Sequence, residues 1–194
     1  MKVATCTICR LENVYLVEFV EHYKSIGVDH MFIYDNNLPN TENVIDVLQS
    51  YVNDGFVTVI NYQDQEKYPM DDALISAFTD CWESNKNEYD WILFLDNDEF
   101  LMLQQDSNVK EYLNRNCFKN MDVIKINWLC YDDNNLIYYE DKPMKERFTH
   151  PCNGDPLTFK ENEHINVIAK HIFFKFHLLN SDYILSFKVR SKDI

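Results

Sequence analysis

Residues 91–95, Trp-Ile-Leu-Phe-Leu, are apolar at five consecutive positions and run directly into Asp96-Asn97-Asp98-Glu99. An apolar run without alternation is the signature of a strand covered on both faces, which restricts the chain to a sheet with helices above and below it. The acids that follow therefore stand where the strand leaves the sheet, the edge at which open α/β sheets take their ligands. Three carboxylates within four positions repel one another. A divalent cation that prefers oxygen ligands, Mg²⁺ or Mn²⁺, would neutralise them.

The preceding ninety residues supply the layers such a sheet needs. Lys2–Ile8 reads as a first strand and Val14–Ile26 as a helix, because Tyr15, Leu16, Phe19, Val20 and Tyr23 recur at helical spacing and Gly27 offers a left-handed stop. His30–Tyr34 is a second strand, Asn43–Tyr51 a helix with Val44, Val47, Leu48 and Tyr51 on one face, and Val57–Asn61 a third strand after Gly55. A helix over Asp71–Ser84 leads to the strand at Trp91, followed by a short helix at Val109–Leu113 and a strand at Val123–Trp128. Such alternation predicts an α/β domain with a mainly parallel sheet flanked by helices. Arg10, Glu12, Asp35, Asn36, Asp96 and Asp98 all follow strand ends, so the topology draws them to one crevice. Beyond residue 130 the alternation fails, and aromatic-rich pieces such as Ile172–Phe176 predict a less regular, antiparallel section.

Composition removes several functions. Eighteen Lys and Arg against 32 Asp and Glu give a formal charge of −14, which repels nucleic acid and anionic membrane surfaces. With only Gly27, Gly55 and Gly154, neither a P-loop nor a Gly-x-Gly-x-x-Gly turn can be written, so any bound nucleotide must be held by side chains and metal. The six cysteines are scattered through apolar segments rather than spaced as a framework, and Cys6-x-x-Cys9 has no second pair, which suits buried thiols in a reducing compartment. No run of 18 apolar residues and no signal-peptide pattern occurs. These features predict no transmembrane segment and a cytoplasmic protein, with a peripheral place at the inner face of the membrane compatible with them.

The stretch Glu18-Phe-Val-Glu-His-Tyr-Lys-Ser-Ile-Gly-Val-Asp-His-Met-Phe-Ile-Tyr-Asp-Asn-Asn37, taken with Asp96-Asn-Asp-Glu-Phe100, resembles the glycosyltransferase family 2 and family 92 group, which has a GT-A fold. The resemblance covers roughly residues 2–130 and is specific in combination. It implies a UDP- or GDP-sugar donor, Mn²⁺ or Mg²⁺ held by the Asp-x-Asp motif, and sugar transfer to an acceptor hydroxyl on a glycan or lipid-linked molecule of cell-surface polysaccharide synthesis. Arg10 and Glu12 match the ends of the group's Arg-Asn-Glu motif, with Leu11 where the Asn would stand. Asp35 and Asn36 match the donor-side loop after the second strand, with Leu38-Pro39-Asn40 in place of the Ser and Asp that often follow. Asp72 and Thr79 stand where the group tends to carry Gln and Asn. Lys170 corresponds to a basic residue of the C-terminal strand, and His177 is the nearest candidate for the metal-binding His expected after it.

On this reading Asp98 coordinates the metal and Asp96 shares it or binds the ribose, with Asn97 between them in the donor-binding set. A leaving nucleoside diphosphate develops negative charge that a divalent cation stabilises. An inverting transfer also needs a carboxylate base, for which Asp132, Asp133 and Glu146 are the candidates. The chain is read as one domain over 1–194, with 1–130 binding the donor and 131–194 forming the acceptor side.

Two rivals share the acidic motif. A phosphatase would use Asp96 as nucleophile and Asp98 as acid, but that class carries its motif near the start of the chain, whereas here 95 residues precede it and Phe100 fills its last position. A nucleotide-sugar-binding module without catalysis is the other, suggested by the departures at Leu11 and Leu38. An EF-hand loop starting at Asp96 fails, with Leu101 at its glycine position and Ser107 at its final glutamate.

Overall fold

A computed structural model describes residues 1–63, 70–127, 131, 136–138, 140–149 and 165–169, the last five and residues 70, 71, 125 and 127 by backbone alone. In chain order the elements are β1 (Val3–Cys9), α1 (Asn13–Ser25), β2 (His30–Asp35), α2 (Ile45–Asn53), β3 (Val57–Asn61), α3 (Met70–Asn85), β4 (Trp91–Phe94), α4 (Val109–Leu113), β5 (Val123–Asn127), α5 (Met144–Arg147) and β6 (Ile165–Ala169). They form one six-stranded sheet in the order β3-β2-β1-β4-β6-β5. β1 pairs in parallel with β2 and β4, and β2 in parallel with β3. β6 runs antiparallel between β4 and β5. The expected fold class, an α/β fold with a mainly parallel sheet flanked by helices, is the one the chain adopts.

Two apolar layers follow from the two-residue period of the strands. Val3 and Cys9 of β1, Met31 and Ile33 of β2, and Trp91 and Leu93 of β4 face one layer, which Leu16, Phe19, Val20 and Tyr23 of α1, Leu48 of α2, and Val109 and Leu113 of α4 complete. Ala4 and Cys6, Phe32 and Tyr34, and Ile92 and Phe94 face the other, covered by Ala77, Cys81 and Trp82 of α3. Fully burying a side chain such as Leu16 or Phe19 contributes about 1.5–3 kcal/mol. The same period sends Cys6 and Cys9 to opposite faces of the sheet, so Cys6-x-x-Cys9 is neither a redox pair nor half of a zinc site.

Gly27 ends α1 at φ 87°, the left-handed conformation glycine adopts at least cost. Immediately before it, the Ile26 carbonyl accepts from Val109 N at 2.7 Å, tying the end of α1 to the start of α4. That tie lies at the end of α1 remote from β1's carboxyl edge and leaves the edge open.

Two features depart from the sequence reading. The strand beside β4 is β6, the segment Ile165–Ala169, which the sequence reading does not mark as a strand. The candidate strand Ile172–Phe176 lies outside the described residues. α5 is also new: four residues are too few for a periodic signal, and contacts with α1 hold it in place.

Candidate functional site

The strand order reverses direction between β1 and β4. The chain moves outward from β1 to β2 and β3, then returns to place β4 on β1's other side. This topological switch opens a crevice beyond the carboxyl ends of β1 and β4. The loop Arg10-Leu11-Glu12 enters it from one strand and Asp96-Asn97-Asp98-Glu99 from the other.

Asp96 and Asp98 are exposed, whereas Asn97 between them is buried. Loss of water around its carboxyl group, and secondly the charge of Asp98, raise the pKa of Asp96 above the ordinary carboxylate value. Glu12 is raised too: burial is the largest cause, the Asn97 amide and the Arg10 N–H favour its charged form, and the charges of Asp98 and Asp96 oppose it. Arg10 N donates to Glu12 Oε2 at 3.4 Å. The Asn97 Nδ2 is buried without a well-formed hydrogen bond, although it lies close enough to Glu12 to favour the carboxylate. The turn is closed on itself by Glu99, whose Oε2 accepts from Asp96 N at 2.8 Å while Glu99 N donates to Asp96 O at 3.1 Å.

These donors suit a hard divalent cation: two neighbouring carboxylates, one of them held above its usual pKa first by loss of water and second by the charge of the other, gain from a positive charge between them. Among the described residues no three His, Cys, Asp or Glu side chains form a ready-made cage. Coordination by Asp96 and Asp98 would thus leave positions for phosphate oxygens and water, the arrangement Mg²⁺ favours. His177, expected as a further ligand, lies outside the described residues.

The loop after β2 has a different character. Asp35, Asn36 and Asn37 are each no more than 3% exposed. Asp35 Oδ1 accepts from Asn37 N at 3.0 Å and Asn37 Nδ2 at 2.8 Å, and Oδ2 from Val44 N at 3.3 Å and Gln63 Nε2 at 3.1 Å. Asn36 Nδ2 donates to Tyr62 O at 2.7 Å, and Asn37 Oδ1 accepts from Leu11 N at 2.7 Å. This buried network locks the ends of β1, β2 and β3 together, so Asp35 and Asn36 hold the crevice wall. Asn37 and Gln63, which the sequence did not single out, are equal members of it.

Leu11 sits in that wall at φ 59° and is 56% exposed. A left-handed leucine is strained by roughly 1–2 kcal/mol, whereas Asn tolerates the region. Leu11→Asn, which restores the residue the resemblance leads one to expect, should stabilise the chain by about 0.5–1 kcal/mol. Urea denaturation checks this, and an unchanged or lower midpoint would show that Leu11 is not strained.

The remaining predicted residues divide. Asp72 is exposed in the first turn of α3, which starts on the same edge because the helix follows β3; Thr79 is two turns further along. Glu146 is exposed on α5, where its charge acts on Lys142, and no described contact brings it to Asp96 or Asp98. Asp132, Asp133 and Lys170 lie outside the described residues.

The family model Glycosyltransferase family 92 matches residues 3–181. The chain belongs to glycosyltransferase family 92. It is 25% identical over 126 residues to a family 92 protein of Ricinus communis, covering 65% of this chain and 22% of that one. It is 27% identical over 115 residues to one of Oryza sativa subsp. japonica, covering 56% and 17%. The chain thus spans about a fifth of the length of these curated relatives. Among solved structures it is similar to S. aureus TarS in complex with UDP, at 14% identity and a TM-score of 0.45 over 63% of this chain and 34% of that one. It is also similar to a mannosyltransferase from Pyrobaculum calidifontis in complex with GDP-Man and Mn²⁺, at 10% identity and a TM-score of 0.44 over 63% and 34%. Family membership sets the phosphatase reading aside.

Proposed function

We propose that this family 92 chain binds a UDP- or GDP-sugar in the crevice between the ends of β1 and β4 and transfers the sugar, with Mn²⁺ or Mg²⁺, to an acceptor hydroxyl. The observation that carries this is the convergence of Glu12 with Asp96 and Asp98 at the topological switch, where loss of water first and neighbouring aspartate charge second raise the carboxyls of both Glu12 and Asp96. When bound, the divalent cation supplies Lewis-acid stabilisation of the departing diphosphate. Asp98 and Asp96 hold that cation, and Asn97 keeps the turn facing Glu12. Glu12 and Arg10 line the donor's nucleoside side, with Asp72 at the edge of the crevice. The Asp35 network keeps this wall rigid, so that the donor meets a preorganised site.

The division of labour follows the chain: residues 1–130 hold the donor and 131–194 serve the acceptor, with Asp132 or Glu146 as base and Lys170 and His177 completing the donor and metal contacts. We read the acceptor as a glycan or lipid-linked precursor of cell-surface polysaccharide. Among the described residues no helix is long and apolar enough to cross a membrane, and Cys6, Cys9, Cys81 and Cys117 are free thiols, in keeping with work in a reducing compartment on the cytoplasmic side.

A thermal-shift screen of UDP- and GDP-sugars with and without Mn²⁺ tests the reading. A ligand at 100 times its dissociation constant stabilises the folded state by about 2.7 kcal/mol. A shift that requires both Mn²⁺ and a nucleotide sugar is expected, and its rank order names the donor; no shift with any of them would reject the site. Transfer or hydrolysis of the donor so identified separates an enzyme from a binding module.

A further inference from the structure

Tyr23 is fully buried on the inner face of α1, yet its hydroxyl serves backbone outside that helix. It donates to Glu99 O at 2.8 Å and accepts from Leu101 N at 3.1 Å. The neighbouring His22 places Nε2 at 3.1 Å from Leu101 O and Nδ1 at 2.6 Å from Lys145 Nζ of α5. A carbonyl only accepts, so Nε2 must carry the proton and Nδ1 must accept from the ammonium group. The ring is therefore neutral with a fixed tautomer, in line with its pKa, which burial and secondly Lys145 lower to about 4. Phe100, between the two anchored residues, meets His22 edge-on at 5.2 Å and Phe19 at 6.1 Å, with Lys145 over its face at 5.1 Å. α5 is itself held to α1 by Met144 N, which donates to Glu18 Oε2 at 2.7 Å.

Residues 99–101 are thus gripped by three polar contacts to their backbone and by two ring contacts at Phe100, and they follow Asp98 directly. The grip reaches the acids through Glu99, whose carboxylate holds Asp96 N. Packing alone does not call for this arrangement. A tyrosine hydroxyl that joins two backbone groups of a loop, and a histidine fixed in one tautomer to hold a third, define where the turn sits relative to the sheet.

We propose that Tyr23 and His22 are positioning residues for the acidic turn, setting the placement of Asp96 and Asp98 and hence the affinity for a divalent cation that bridges a nucleoside diphosphate. This rests on the reading of Asp96 and Asp98 as the cation site. Groups that orient metal ligands without touching the metal typically change metal affinity about 10- to 100-fold when removed. Lys145 extends the same control to α5, so the segment over 140–149 and the metal turn share one support.

The test is calorimetric titration of UDP and of GDP into the full chain over a series of Mn²⁺ concentrations, reading the concentration that supports half-maximal nucleotide binding. Tyr23→Phe, which removes one oxygen atom, should raise that concentration about 10-fold or more. His22→Leu should do the same, and His22→Gln should restore it, because the glutamine amide nitrogen can stand near Nε2 and donate to Leu101 O. Urea midpoints measured in parallel separate a purely structural role, which would lower stability and leave the Mn²⁺ requirement of the folded chain unchanged. Wild-type Mn²⁺ dependence with no change in Tyr23→Phe and His22→Leu would overturn the positioning role alone. Failure of the wild type to bind either nucleotide would overturn the cation site and this proposal with it. If Tyr23→Phe does not fold, the contrast between His22→Leu and His22→Gln decides the question.

Discussion

Asp98→Asn is expected to give a folded chain that no longer binds a nucleoside diphosphate with Mn²⁺. The substitution keeps the side chain's shape and removes the charge, in an exposed position where nothing in the core depends on it. Apo stability should not fall. Asp96 is held above its ordinary pKa first by burial and second by Asp98, so the folded state binds that proton more tightly than the unfolded state does. Its contribution to stability is present below the ordinary value of 3.8 and is lost as pH rises through the raised one. Removing the Asp98 charge lowers the pKa of Asp96 and shrinks that loss at neutral pH. Urea denaturation in EDTA and calorimetry with Mn²⁺ read the two effects separately. Full nucleotide binding by Asp98→Asn would remove it from the cation site.

Asp35→Ala is expected to act on the fold. It would deprive Asn37 N, Asn37 Nδ2, Val44 N and Gln63 Nε2 of their acceptor in a place sealed from water. A buried donor left without a partner costs about 1–3 kcal/mol, so a loss of about 3–5 kcal/mol is expected even if some donors find substitutes. Against a total stability of about 5–15 kcal/mol this is large. Asp35→Asn, which retains an acceptor oxygen, should cost less. A mutant that keeps its urea midpoint and loses nucleotide affinity would instead make Asp35 a direct donor contact.

Much of this architecture is legible residue by residue. Trp91–Leu95 could only be a doubly covered strand, and its neighbours in sequence supply the helices that cover it. Gly27 marked the end of α1 because its φ of 87° is one that other residues adopt at a cost. What failed was non-local: nothing within Ile165–Ala169 states that it inserts between β4 and β5, since strand pairing is settled by the sheet and not by the segment. The site divides in the same way. Asp96 and Asp98 are visible because acids crowd a strand end. Asp35 and Asn36 are equally visible, but sequence cannot tell a buried acceptor from an exposed ligand contact. His22 and Tyr23 leave no such mark, for a tyrosine on an apolar helix face and a lone histidine are ordinary packing residues, and only the tertiary structure shows the backbone they hold.

On the proposed function, the crevice between β1 and β4 takes a nucleoside diphosphate through a divalent cation on Asp96 and Asp98. Calorimetric titration of UDP and of GDP into the wild-type chain, once with Mn²⁺ and once with excess EDTA, tests it most directly. Saturable binding of one of the two nucleotides with Mn²⁺ and none in EDTA is the expected result. Binding of equal strength in EDTA, or no binding of either nucleotide with Mn²⁺, would contradict it.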